Sequence, residues 1–247
     1  MKFHGKTVLV VGGSCEMALA LAPALEAAGL LPVLTFRSEE AKKRSQTALG
    51  NQGSTTCFFD LGKALEPEGF SELDACFSDG GPDYLVDFAH GNLESLVATA
   101  ATEDVGHYLH ENVTCRAALV KWAARRMTAK RFGRMLYVSS TAAALQNGGQ
   151  GFYAASKKAC EALYQGIGIE MGKKGITSAI LRPGYVTAGR ASTFMAENEA
   201  WVKKRVPLGR AASPSEVAET LLFLLSDAAR PINATTITMD GGLTACK

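Results

Sequence analysis

A Rossmann-like α/β fold, a doubly wound parallel sheet of about seven strands with helices on both faces, is what this sequence predicts. Three observations lead there. The strand candidates are short, nearly continuous apolar runs, amphipathic helical stretches separate them, and small or polar residues come after each run. Strands buried on both faces lose the apolar/polar alternation of a half-exposed sheet, and helices between parallel strands supply the cover. The 247 residues, 47% of them hydrophobic, suffice for one large core. No Pro/Gly/Ser-rich linker or charge block interrupts them, so a single domain over 1–247 is expected.

In chain order, Thr7 to Val11 is the first apolar run and ends in Gly12-Gly13-Ser14. Leu19 to Leu25 carries helical spacing, with Gly29 as its C-cap. Leu31 to Phe36 reads as a second strand, and charged Glu39 to Arg44 as the exposed start of a helix. Thr55 to Phe59, Tyr84 to Phe88, Met135 to Val138, Ile176 to Leu181 and Thr235 to Met239 complete the strands. The clearest helices are Val105 to Thr128, Tyr153 to Met171 and Ser215 to Leu225.

Composition removes several classes of function. Lys plus Arg (26) nearly balance Asp plus Glu (24), which argues against a polyanion-coating protein, so no nucleic-acid partner is expected. Six cysteines stand singly, at 15, 57, 76, 115, 160 and 246, without a C-x-x-C pair. Neither a metal site nor a disulfide framework is suggested, and free thiols fit a reducing cytoplasm. No apolar run approaches the roughly 20 residues that cross a bilayer, so a cytoplasmic protein without membrane contact is expected.

In a doubly wound sheet, ligands bind beyond the carboxyl ends of the strands. The residues there are Gly12-Gly13-Ser14, Arg37-Ser38, Asp60, Ala89-His90-Gly91, Ser139-Ser140 and Pro183-Gly184. At the start of a helix, Tyr153 and Lys157 are four apart and share one face. A tyrosine titrates near pH ~10; a neighbouring ammonium favours the phenolate and brings the hydroxyl toward useful acid–base strength. Such a pair alone is weak, since most lie on solvated surfaces.

With Ser139-Ser140 closing a buried strand and Asn112 in an earlier helix, the chain resembles the classical short-chain dehydrogenases/reductases. Asn112, Ser140, Tyr153 and Lys157 match that family's catalytic tetrad in order and approximate separation. Arg131-Phe132-Gly133-Arg134, Arg182-Pro183-Gly184 and Asp240-Gly241-Gly242 match further, so the resemblance covers essentially the whole chain. It implies that Tyr153 protonates a carbonyl oxygen as hydride arrives at the carbon. Ser140 would orient that oxygen, Lys157 would hold the nicotinamide ribose, and Asn112 would anchor a water relaying protons to Lys157. Implied cofactor contacts are Gly12, Gly13, Ser14, Cys15, Met17, Arg37, Ser38, Asp60, Leu61, Ala89, His90, Tyr153, Lys157, Pro183, Gly184 and Val186.

Two motifs depart from the family. Its T-G-G-x-x-G-I-G turn becomes Val11-Gly12-Gly13-Ser14-Cys15-Glu16-Met17-Ala18. Glu16 replaces the glycine that lets backbone approach the cofactor. Aimed inward it would repel a pyrophosphate; aimed outward, the expected arrangement, it would favour the helix N-terminus. The family's N-N-A-G becomes Asp87-Phe88-Ala89-His90, where Asp87 accepts hydrogen bonds but donates none. His90 is expected to be incidental to the chemistry. Arg37 and Ser38, with no acid until Glu39, favour NADPH over NADH. Asp60 would contact the adenine edge or simply cap a helix.

By the same resemblance, residues of about 188–206 form a substrate lid, in which Phe194, Met195, Trp201 and Val202 suit an acyl chain or ring, or merely close the site. Val206-Pro207-Leu208-Gly209-Arg210 is most like 3-oxoacyl-acyl carrier protein reductases. Arg131 and Lys174 fall where those reductases dock an acidic acyl carrier protein. The expected function is NADPH-dependent reduction of a 3-oxoacyl thioester, on acyl carrier protein or coenzyme A, or of a polyketide-like ketone, by a homotetramer. A free sugar, steroid or aromatic ketone is the alternative substrate. Enoyl reduction is disfavoured because relatives with that activity space Tyr and Lys more widely. Glu16 also motivates a different class, a cofactor-binding regulator or catalytically silent subunit.

Overall fold

The computed structural model describes residues 1–50, 53–77, 80–189 and 197–246. Seven strands, β1 (Thr7–Val11), β2 (Leu31–Phe36), β3 (Thr55–Phe58), β4 (Tyr84–Asp87), β5 (Gly133–Val138), β6 (Ile176–Pro183) and β7 (Thr235–Met239), form one sheet. Their order is β3-β2-β1-β4-β5-β6-β7 and every pairing is parallel. The order reverses between β1 and β4, so the loops leaving their carboxyl ends diverge and open a crevice.

Helices α1 (Glu16–Ala27), α2 (Glu39–Thr47), α3 (Ser71–Cys76), α4 (Thr102–Leu109), α5 (Cys115–Lys130), α6 (Gly151–Met171), α7 (Glu199–Arg205) and α8 (Pro214–Leu225) surround the sheet. The period-2 geometry of β1 splits its apolar run between two cores. Val8 and Val10 join Leu136, Val138 and Leu181 beneath Leu21 of α1 and Leu221 of α8. Leu9 and Val11 join Met135, Tyr137 and Ile180 beneath Leu119 of α5 and Tyr164 of α6. Both faces are therefore dry, as continuous apolar strands require. The start of α8 is fixed by Pro214 in the first turn and by a reciprocal capping box between Ser213 and Glu216.

The expected helix Val105 to Thr128 is in fact two. α4 stops at Leu109, His110–Thr114 forms a π turn, and α5 begins at Cys115. Side chains take carbonyls in and beside this turn: Asn112 Nδ2 donates to the Tyr108 carbonyl (2.9 Å), and Arg116 donates to that of Asn112. Apolar periodicity does not register such a turn because the apolar stripe continues through it. β5 begins two residues earlier than expected, at Gly133, and β6 runs two further, to Pro183. Among the described residues no helix is long and apolar enough to cross a membrane.

Candidate active site

The loops and turns leaving β1, β2, β4, β5 and β6 line the crevice. After β1, Gly12 has φ +76°, and a Cβ there would lie 2.8 Å from the Ala89 nitrogen. Only glycine lets the β1 turn and the β4 loop approach so closely. The turn is tied to β2 by the Gly12 N–H on Thr35 Oγ1 (3.0 Å) and the Gly13 N–H on the Thr35 carbonyl (3.1 Å). Gly184, after β6, is required for the same kind of reason: a Cβ would meet Asp240 at 2.8 Å. Pro183 and Val186 are buried beside it.

Ser140, just past β5, caps a short 3₁₀ turn, its Oγ accepting from the Ala142 N–H (3.2 Å). Tyr153 and Lys157 stand one turn apart at the start of α6. Lys157 is buried, and its ammonium donates to the Val138 carbonyl (2.9 Å). It lies 4.9 Å from the Tyr137 ring centre and 5.8 Å from that of Tyr153. Burial pulls its pKa down to about 7, and the nearby Arg116 cation pulls the same way. β5 and the first turn of α6 thus bring Ser140, Tyr153 and Lys157 to one edge of the sheet.

Asn112 is buried in the π turn. Its Oδ1 accepts the Gly91 N–H (2.7 Å), and its carbonyl already accepts from Arg116 and from the Cys160 thiol (3.2 Å). One donor to that carbonyl, Arg116, is a side chain the motif reading missed. Arg116 is fully buried and donates to Asp87 Oδ2 (2.7 Å) and to the Ala89 carbonyl. The only sequence signal was Asp87 itself, an acid at the end of an otherwise apolar strand with no partner nearby in the chain.

His90 is also better connected than expected. Its Nε2 lies 3.0 Å from both Tyr108 Oη and Ser156 Oγ, and its ring meets the Tyr153 ring edge-on at 5.2 Å. Ser156 Oγ in turn donates to the Tyr153 carbonyl (2.8 Å). Beside these, Glu161 is buried and accepts from Ser139 (2.7 Å) and twice from Arg182 (2.9 and 2.6 Å). Burial alone would raise its carboxyl pKa; the Arg182 and Ser139 bonds outweigh that and hold it low.

On the opposite side of the crevice the charged groups are exposed. Arg37, after β2, forms an ion pair of 3.7 Å with Asp60, whose Oδ1 also caps the turn Leu61–Lys63 through the Gly62 N–H (3.1 Å). Ser38 caps α2 through Ala41 N–H (3.2 Å). Glu16 opens α1 and points across the crevice mouth, where its carboxylate accepts the Gly189 N–H. Cys15 precedes it; burial pushes its thiol up to about 11, against the pull of the Ala18 and Met17 amides, so it is neutral near pH 7. Leu61 is buried and Ser14 and Met17 are half-buried along the same wall. The donor set, Arg37, Ser38 and Lys157 beside a glycine turn at a helix start, fits an anionic dinucleotide; the Glu16 carboxylate, and Asp60 against Arg37, are unfavourable charges there.

Of the lid residues, Phe194 and Met195 lie outside the described residues. Val202 is buried with Val206 and Leu243, and Trp201 meets Tyr185 edge-on at 5.9 Å. Arg131 and Lys174 are exposed at the amino ends of β5 and β6. The 21 residues from Tyr153 to Lys174 put about 30 Å between them, so the basic pair stands at the far edge of the sheet from its own chain's Tyr153.

A family model described as enoyl-(acyl carrier protein) reductase matches residues 14–244. The 3-oxoacyl-[acyl-carrier-protein] reductase FabG of Escherichia coli (strain K12) is 28% identical over 243 residues, 98% of this chain and 99% of its own. Its namesake from Vibrio cholerae serotype O1 is 29% identical over 245 residues, with the same coverage, 98% and 99%. Among solved structures, a short-chain dehydrogenase/reductase oxidoreductase from Burkholderia thailandensis superposes with a TM-score of 0.86 at 27% identity, covering 98% of this chain and 93% of that one. A gluconate 5-dehydrogenase from Burkholderia cenocepacia, in complex with NADP and tartrate, gives 0.87 at 26% identity over 99% and 97%.

Proposed function

The chain belongs to the short-chain dehydrogenase/reductase family and is an oxidoreductase, and we propose that it reduces a ketone to a secondary alcohol with NADPH. The proposed substrate is a 3-oxoacyl thioester, on acyl carrier protein or coenzyme A, or a related polyketide-like ketone. The observation that carries this reading is the arrangement of Tyr153 over a buried Lys157 whose pKa is about 7.

When bound, the nicotinamide supplies a hydride to the carbonyl carbon; the chain must handle the oxygen. Tyr153 gives its phenolic proton to that oxygen. Ser140 accepts from the Ala142 N–H, so its own hydroxyl proton can be directed at the same oxygen. Lys157 favours the phenolate left on Tyr153 and, titrating near neutrality, can return a proton to it. Arg37 would exchange Asp60 for the cofactor's 2′-phosphate, to which its planar fork is suited.

The proposed assembly is a homotetramer that includes packing through α5 and α6. Ala117, Val120, Ala124, Ala162, Leu163 and Ile167 line an apolar groove between those helices. A second copy packed there with its helices antiparallel would carry its own Arg131 and Lys174 toward this chain's crevice. Carrier-protein docking by that pair is proposed only in this form. A second substrate reading, a sugar acid or polyol, is favoured by the gluconate 5-dehydrogenase likeness and by half-buried Arg205 on α7, whose guanidinium lies 4.6 Å from the Trp201 ring centre.

The test is a fluorescence titration of wild-type protein and Arg37→Ala with NADPH and NADH, and then turnover assays. NADPH should bind more tightly than NADH, and Arg37→Ala should weaken NADPH alone by about ten- to a hundredfold, the worth of one charge-assisted bond. Equal affinities in the wild type would remove Arg37 as the phosphate clamp. Turnover of 3-oxoacyl but not 2-enoyl thioesters is expected; turnover of gluconate-like substrates instead would overturn the thioester reading.

A further inference from the structure

Asp87 and Arg116 are both fully buried, one at the end of β4 and the other in the first turn of α5. A buried charge pair persists only where geometry and further hydrogen bonds compensate for lost hydration. Here they do. Asp87 Oδ1 accepts the Ala89 N–H (3.1 Å), and Oδ2 accepts from Arg116 Nε (2.7 Å) and the Tyr164 hydroxyl (2.9 Å). The guanidinium also donates to the Asn112 and Ala89 carbonyls and meets the Cys160 sulfur at 3.4 Å. Its carbon lies 5.2 Å from the Tyr137 ring centre, the ring beside which Lys157 lies at 4.9 Å.

We propose that Arg116, with Asp87 as its counter-ion, is a positioning residue that acts by charge on Lys157 beside the Tyr137 ring. The inference rests on the proposed function for its consequence in catalysis, not for the charge effect itself. Arg116 cannot lose its proton at any working pH: burial works against its charge, but Asp87 outweighs that and holds its pKa well above the usual value. It therefore presents Lys157 with a permanent like charge. The groups facing Lys157 are Arg116 from α5, Cys160 and Tyr153 from α6, Tyr137 from β5, Asp87 from β4 and Cys15 from the β1 turn. After burial, Arg116 is the largest influence on Lys157, and it favours release of the lysine proton.

The test monitors Lys157 by ¹³C NMR of its Cε in cofactor-free protein, together with the pH profile of kcat/KM for ketone reduction. Arg116→Gln strands Asp87 without a counter-ion and is at risk of unfolding, so Asp87→Asn with Arg116→Met, which removes both charges and keeps the volume filled, is the decisive variant. Arg116→Lys, which keeps the charge, is the control. In the folded double variant the Lys157 midpoint should rise by about half a pH unit, a roughly threefold gain in proton affinity, because the smaller, opposing Asp87 influence is removed with that of Arg116. The alkaline limb of the reduction profile should rise with it, while Arg116→Lys leaves both near wild type. An unmoved midpoint in the folded double variant overturns the inference and leaves the pair a structural one. A moved midpoint in a protein that reduces no ketone upholds the charge effect and refutes the proposed function instead.

Discussion

Around the first turn of α6 the charged groups are buried and held by packing, whereas at the ends of β1 and β2 they stand at the surface and hold one another. Lys157, Glu161, Asp87 and Arg116 are each nearly inaccessible, with hydrogen-bond partners set by β4, β5, α5 and α6. Glu16, Arg37 and Asp60 have partners that are neighbouring loops or turns. The first region reorganises little when a substrate arrives, which is what stabilising a developing charge demands. Under the proposed function the second would exchange partners: Arg37 would leave Asp60, and Glu16 would leave the Gly189 amide or stay to oppose a phosphate. Chemistry and recognition are thus divided between a fixed end and an exchangeable end of one crevice.

The division breaks most directly at Tyr153. Tyr153→Phe removes only a hydroxyl, and reduction should fall about 10²- to 10⁴-fold while dinucleotide affinity is retained. Turnover within tenfold of wild type would mean that the α6 end is not where the proton comes from.

Lys157 tests whether that end is as desolvated as its burial says. Its folded pKa of about 7 lies below the unfolded value near ~10.4, so between these limits the unfolded chain binds more protons. Stability therefore rises with pH across that window, and below it the cost of the buried ammonium is fully present. Lys157→Met should remove this slope, gaining up to several kcal/mol relative to wild type at or below neutral pH and little near pH ~10. Denaturant unfolding of both proteins across the window measures it, and parallel curves would show that the ammonium is hydrated.

Glu16 gives the smallest effect. Glu16→Gly removes an exposed carboxylate, so NADPH should bind about two- to fivefold more tightly, the range of an exposed charge interaction. Weaker binding would show that the Glu16 bond to Gly189 shapes the site rather than obstructing it.

Legibility in the sequence divides along the same line. Apolar runs placed β1, β2, β4, β5 and β6 because strands buried on both faces leave a clear record, while β3 and β7, partly exposed, were marked by less apolar runs; β1, β2 and β7 match residue for residue. Ser140, Tyr153 and Lys157 were legible because one strand end and one helix turn bring them together. Arg116 was not. It is 29 residues from Asp87, and only the β4–α5 packing makes them neighbours. In the chain it reads as one more basic residue of an amphipathic helix. The contacts of His90 were illegible for a related reason: Tyr153 and Ser156 come from α6, more than 60 residues later. Arg37 and Asp60 were each singled out, but their pairing depends on β2 and β3 ending side by side.

The π turn at His110–Thr114 also fixes an angle. Each α-helical residue advances about 100°, and a π turn absorbs one extra residue without that rotation, so α5 keeps the phase that faces the sheet. Tyr108, Asn112 and Arg116, spaced four apart across the turn, all reach inward because of this phase. A one-residue deletion there would leave both helices intact in length and composition. It would close the ladder into one α-helix with Arg116 still facing Asp87, and the Tyr108 and Asn112 carbonyls now taken by the Asn112 and Arg116 side chains would return to backbone donors.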